Sequence, residues 1–135
     1  MVRLAPGDAM VVDHVRAGRR LKDGDLLIDL ADPTIGERRK LSFVGVVSVA
    51  IAIDSRGGIA ADPEIALMGL PPRAKDGADM VELVGDIVDQ TLDSLPKQRR
   101  RNAETIEKAV ERAVRGAVNQ AWGKKPVCHV LVLEV

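Results

Sequence analysis

His14, His129 and Cys128 have the widest chemical range of any residues in this chain, and their spacing limits what they could do. The histidines lie near opposite ends of the sequence, and neither belongs to an HxH, HxxxH or HExxH arrangement able to hold a catalytic zinc. His14 follows Asp13, the one local pair resembling part of a ligand set, but adjacent residues of an extended segment point to opposite faces. His129 and Cys128 fall in an apolar run. This predicts a hydrogen-bonded core or interface histidine and a buried, inert thiol. Gly57-Gly58 is too short for a phosphate cradle and lacks its lysine, so it reads as a turn. Asp86 and Asp89, three apart on a predicted helix, read as a solvated face. No catalytic residue, no metal ligand and no cofactor is expected in the chain.

The remaining chemistry is basic. Lys97, Arg99, Arg100 and Arg101 cluster in one segment, Arg38, Arg39 and Lys40 in another, and Lys124 and Lys125 near the end. Two such clusters brought together by folding would form a phosphate-binding patch and a weak RNA contact. Each alone is explained by the helix dipole or by solvation. No aromatic residue is interleaved with them, so a stacking platform for single-stranded RNA is not expected. Twenty basic and twenty acidic residues cancel, leaving no overall field to draw in nucleic acid or an acidic membrane.

The elements that must position these residues are legible from periodicity. The chain has 135 residues, enough for one domain with a real core; 46% are hydrophobic, yet Phe43 and Trp122 are the only aromatics. The interior must therefore be Val, Ile, Leu and Ala. A single cysteine forbids an internal disulfide, no segment resembles a signal peptide, and Val44–Ile53 is too short to span a bilayer. A soluble cytoplasmic protein is expected.

Up to Asp32 the chain alternates short apolar pieces (Met10-Val11-Val12, Leu26-Leu27-Ile28) with Pro6-Gly7, Gly18-Arg19-Arg20 and Asp23-Gly24-Asp25. This is the punctuation of an extended linker. A short turn or helix should follow from Ala31 through Lys40. In Val44–Ile53, the bulky Val47, Val49, Ile51 and Ile53 alternate with Val46, Ser48, Ala50 and Ala52, predicting a strand with one bulky and one small face. Asp54 to Gly58 supplies a turn, and a second strand, about Ile59 to Leu70, should pair back antiparallel with Pro63 at an edge or bulge.

Two amphipathic helices are predicted next. The first carries Met80, Val84, Ile87, Val88 and Leu92, with Asp76 as cap and Pro96 as stop. The second runs from Asn102 to Gly123 on a stripe of Ile106, Val110, Val114, Val118 and alanines. A last strand, Val127 to Glu134, is apolar on both faces and reads as central or as an interface strand. The expected class is α+β: a small three-stranded sheet in ββααβ order with two helices on one face, residues 33–135, preceded by the linker 1–32.

The order of these segments resembles the C-terminal third of ribonuclease J, in its alphaproteobacterial form. Arg3-Leu4-Ala5-Pro6-Gly7 is similar to the exit from that family's catalytic metallo-β-lactamase domain, and Gly18-Arg19-Arg20-Leu21-Lys22-Asp23-Gly24 to its linker. Glu37-Arg38-Arg39-Lys40-Leu41 with Gly45-Val46-Val47 resembles the entry into the C-terminal domain. Asp62-Pro63-Glu64-Ile65 resembles its Pro-Glu-Ile segment, and Lys124-Lys125-Pro126 with the closing strand its end. Two departures are visible: Leu67-Met68-Gly69-Leu70 stands where the family has Ser-Arg-Gly-Phe, and Cys128-His129 where it has aliphatic residues. The resemblance implies a parent enzyme that cleaves RNA internally and from its 5′ end, using two zinc ions held by a motif this chain lacks. It further implies that the chain is an excised, noncatalytic oligomerisation and accessory domain. Its expected partners are a second copy and the parent's catalytic domain. Val46, Ser48, Ala50, Val130 and Val132 are the candidate interface residues. An RNA-binding module using Lys97, Arg99, Arg100, Arg101, Lys124 and Lys125 is the alternative.

Overall fold

The structure, a computed structural model, describes residues 19–135. His14, Asp13, Met10-Val11-Val12 and the segments likened to the catalytic-domain exit lie outside the described residues. Two compact units are present, divided after Arg39.

In the first unit, strands β1 (Arg20–Asp23) and β2 (Leu26–Asp29) form an antiparallel hairpin closed at Gly24, whose φ of 61° suits a glycine. Within the segment read as an extended linker, these short extended pieces pair with each other. Helix α1 (Pro33–Val44) begins in this unit. Asp32 caps it by accepting from the Thr34 amide at 2.9 Å, and Arg38 clasps Asp23 with two bonds of 2.8 and 2.9 Å.

In the second unit, β3 (Val46–Ile53) is the centre of a mixed sheet ordered β4-β3-β5. Strand β4 (Ile59–Met68) runs antiparallel to it and β5 (Val127–Glu134) parallel. Between β4 and β5 come α2 (Met80–Ser94), the short α3 (Lys97–Arg100) and α4 (Ala103–Trp122). The α+β class holds, but the order is richer than ββααβ. Helix α1 runs on to Val44, so β3 starts at Val46, and α3 occupies the connection between the two long helices.

The boundary between α1 and β3 is set by Gly45. It ends the helix by donating to the Leu41 carbonyl at 2.8 Å and adopts φ 69°, a conformation unfavourable to any residue with a Cβ. A Cβ there would also lie 2.7 Å from the carbonyl oxygens of Met68 and Gly69. Backbone therefore packs on backbone where β3 enters the sheet and β4 leaves it.

The alternation of β3 is realised: Val47, Val49, Ile51 and Ile53 are buried, with the small residues half-exposed between them. Their buried face meets the stripes of α2 (Met80, Val84, Val88, Leu92) and α4 (Ile106, Val110, Val114, Val118). Pro63 fits because β4 is an edge strand and its register slips between Ala50 and Ala52, where Asp62 and Pro63 bulge out. Helix α2 is capped by Asp79, which accepts from Val81 and Glu82. Asp76 instead closes the preceding turn by accepting from Ala78. Asn102 caps α4, and Gly123, at φ 92°, ends it. Gly116 is exposed with nothing near it, so the close approach of α4 rests on its alanines and valines.

Candidate functional site

The helices cover one face of the sheet and leave the other uncovered among the described residues of the second unit. Cross-strand register defines that open face row by row: Met68, Val46 and Val127; Ala66, Ser48 and His129; Glu64, Ala50 and Leu131. The centre is made of small side chains and the rims of large ones. Met68 is 70% exposed, Leu133 62% and Leu131 53%. The result is a shallow depression of about 170 Å³ lined by Ser48, Ala50, Glu64, Ala66 and Leu131.

The structure divides the five candidate interface residues. Val46, Ser48 and Ala50 lie on the open face. Val130 points to the helices and is buried, and Val132 packs against the same core. Strand β5 is also not central. It is an edge whose helix-side face is covered and whose other face is bare, so the two-sided apolar pattern does not mark a strand enclosed by neighbours.

His129 is exposed on the open face and is not a core residue. It pairs across the sheet with Ser48, whose partner on β4 is Ala66, and Glu64 lies in the next row, opposite Ala50. A nucleophilic relay needs histidine between serine and carboxylate. Here the histidine's row holds serine and alanine and the carboxylate falls in the next row on the far strand, so the arrangement does not support that chemistry. Among the described residues no three His, Cys, Asp or Glu side chains converge on a metal position, and His129 has Ser48 beside it. These residues do not fit the zinc pair that the family resemblance implies for the parent enzyme.

Cys128 turns toward α4. Burial, with a smaller push from Glu111, raises its thiol to about 11 against the opposing Arg115. At pH 8 the thiolate fraction should be roughly a hundredfold below that of a free cysteine. Alkylation by iodoacetamide should therefore be slower than that of glutathione by a similar factor in the folded protein, rising to the free rate in urea. Equal rates before and after unfolding would contradict this burial.

Two of the basic clusters, the one after α2 and Lys124-Lys125, are kept apart by α4. Lys97, Arg99 and Arg101 are exposed at one end of α4, and Lys125 is exposed at the other. A helix of 20 residues separates them by about 30 Å. Arg100 is half-buried and donates to the Leu92 carbonyl at 3.2 Å, closing the C-terminal end of α2. Lys124 donates to the Phe43 carbonyl at 3.1 Å, with its ammonium 4.0 Å from the Phe43 ring centre and 5.2 Å from that of Trp122. The only two aromatics of the chain thus meet over one lysine. Sequence reasoning missed this cluster because its members are distant along the chain, although each borders a helix end. Along α4, Glu104, Glu107 and Glu111 balance Lys108, Arg112 and Arg115, so no basic stripe joins the two ends.

A wider groove of about 360 Å³ lies against α2 and α4, lined by Leu83, Ile87 and Ala117 with Lys75 and Asp76 at its side. No set of catalytic groups converges on it. No described helix is long and apolar enough to cross a membrane.

Comparison with known proteins accounts for this architecture. The family model of the ribonuclease J C-terminal domain matches residues 33–135. The whole chain is 44% identical to part of ribonuclease J from Sinorhizobium meliloti, covering 24% of that protein. It is 28% identical to ribonuclease J from Mycolicibacterium smegmatis over 99% of the chain and 23% of the relative. Against the Corynebacterium glutamicum enzyme it is 23% identical over 98% of the chain and 18% of the relative. The chain spans about a quarter or less of the length of these relatives.

Proposed function

The chain belongs to the ribonuclease J C-terminal domain family, and from that premise we propose that it is a noncatalytic assembly domain of a cytoplasmic RNA-processing and RNA-decay enzyme. The parent's RNA hydrolysis and its zinc ions belong to residues this chain lacks. Its own part is to hold copies of the enzyme together and to support the catalytic domain.

The observation that carries this reading is the one-sided sheet. Apolar side chains at Met68, Leu131 and Leu133 are exposed beside an unpaired strand edge on a sheet whose other face the helices cover, and exposed apolar side chains on one sheet face support a covering partner. RNA contact has weaker support, since Arg100 and Lys124 are committed to carbonyl groups and the other candidates, Lys97, Arg99, Arg101 and Lys125, lie at opposite ends of α4.

Sedimentation equilibrium over a wide concentration range tests the reading. The expected outcome is a reversible shift from 14.5 kDa to twice that mass. A chain that stays monomeric at every concentration would overturn self-association. If, in addition, a single-stranded RNA bound it and the triple change of Arg99, Arg100 and Arg101 to glutamate abolished that binding, the RNA-module alternative would take its place.

A further inference from the structure

We infer that the outer edge of β5 is the surface that joins two copies, pairing antiparallel with its counterpart about a two-fold axis to give a six-stranded sheet ordered β4-β3-β5-β5-β3-β4. This rests on the assembly reading above and specifies its partner and geometry.

The two edges of the sheet are built differently. On β4 the edge is blunted by Pro63, by the register slip and by Asp62 and Glu64. Such devices keep edges from pairing with other chains. Strand β5 has none of them. Its register against β3 is unbroken from Val127 to Glu134, it contains no proline, glycine, lysine or arginine, and Glu134 is its only acid. No strand pairs with its outer side among the described residues.

The direction of its free hydrogen-bonding groups is fixed by the ladder. The Val127 amide donates to the Gly45 carbonyl at 3.0 Å and the Val135 amide to that of Ile53 at 2.8 Å. In a parallel pair, alternate residues bond to one neighbour. Odd-numbered residues therefore face β3, and the amides and carbonyls of Cys128, Val130, Val132 and Glu134 face outward. Two copies related by an axis perpendicular to the sheet keep their helices on the same side only if even-numbered residues oppose even-numbered residues. Those are the residues with bonds to give, so the edge is complementary to itself.

Charge agrees with this direction. Exposed Lys125 stands at the start of β5 and exposed Glu134 at its end. Antiparallel pairing brings the basic start of each copy alongside the acidic end of the other, whereas parallel pairing would set like against like. The inference also explains how Val130 and Val132 can belong to an interface while their side chains point inward, because they contribute backbone.

Amide hydrogen exchange, followed by NMR on the intact chain from dilute to concentrated solution, tests this directly. Exchange at Cys128, Val130, Val132 and Glu134 should slow by about tenfold or more as the dimer forms, while Val127, His129, Leu131 and Leu133 stay protected throughout. Association without that change would overturn the edge pairing and leave the assembly reading standing; absence of association would remove both. Protection already complete in dilute solution would place the chain's own residues on the edge and also overturn the inference. As a second arm, Val132→Pro removes an outward amide and no bond to β3, and should yield a folded monomer. Met68→Lys, at the far edge, should leave the dimer intact. Loss of the dimer in Met68→Lys but not in Val132→Pro would assign association to the open face instead. Should Val132→Pro fail to fold, the exchange pattern of the unaltered chain decides.

Discussion

Gly45→Ala is expected to destabilise the fold by about 3 kcal/mol or more, a lowering of the thermal midpoint by roughly 10 °C or more. Two costs combine. At φ 69° the methyl group imposes the left-handed penalty, about 1–2 kcal/mol. The same methyl would lie 2.7 Å from the Met68 and Gly69 carbonyl oxygens and from Leu70 Cδ1. Leu70 could turn aside, but the two carbonyls belong to backbone, and displacing them separates the end of β4 from the start of β3. The Gly45 carbonyl also accepts from the Val127 amide, so the disturbance reaches the first bond between β3 and β5. Urea unfolding monitored by circular dichroism would give the value. Gly36→Ala supplies the control, since nothing lies within 4 Å of its added methyl and its φ is not positive. A loss below about 1 kcal/mol for Gly45→Ala would mean that the approach of the two backbone segments is not tight.

Val114→Asp should have a still larger effect, at or beyond about 4 kcal/mol, enough to leave a marginally stable domain largely unfolded. Val114 has no exposed surface and sits mid-stripe on α4 among the buried valines and isoleucines. The core contains no buried polar side chain that could receive a carboxylate. Burial would raise the carboxyl pKa in the folded state, so the extra cost of charge is absent below the unfolded value of about 4 and grows as pH rises above it. Val114→Thr, nearly equal in shape, isolates the polar contribution and should cost about 1–3 kcal/mol. Circular dichroism at pH 7, with urea titration of whatever remains folded, distinguishes the two variants. A cost for aspartate equal to that for threonine would show that water reaches this position.

These effects indicate how much of the molecule could be read beforehand. Strand β3 was legible because one of its faces is covered and the other is not, so the pattern of large and small residues records the burial directly. The stripes of α2 and α4 were legible for the same reason. The end of α1 was not. Phe43 and Val44 have the side chains of a strand, and the stop signal is a single glycine whose conformation depends on its contact with Gly69. The cap of α2 fell to Asp79 and not Asp76 because both are good turn formers. Their roles are settled by where the chain leaves the Pro71-Pro72 turn, where the Met80 amide bonds to the Pro72 carbonyl. Strand β5 read as central or as an interface strand because composition reports hydrophobicity without saying whether a face is covered, and its place at the sheet edge removes the first of these.

The candidate surface was legible in part. Alternation alone separated Val46, Ser48 and Ala50 from the bulky face of β3. Val130 and Val132 were grouped with them because a single strand cannot reveal which of its faces the helices cover. A charge at Val130 would consequently disturb the core before it tested any interface. The loss of Lys124 and Arg100 from the set of available cations depends on contacts that no local pattern encodes.

The mixed pairing of β3 also has a kinetic consequence. Its antiparallel partner follows after the turn at Asp54 to Gly58, whereas its parallel partner arrives only after both long helices. The β3–β4 hairpin can form early by closing a small loop, but β5 must wait for a long segment to be ordered before its first bond forms. Until then the central strand has one unsatisfied side. Mild truncations of hairpin side chains should therefore mostly slow folding, and those in β5 mostly accelerate unfolding. In the proposed dimer the last strand to dock is also the one that pairs between copies, so competence to assemble would be the last property the domain acquires as it folds.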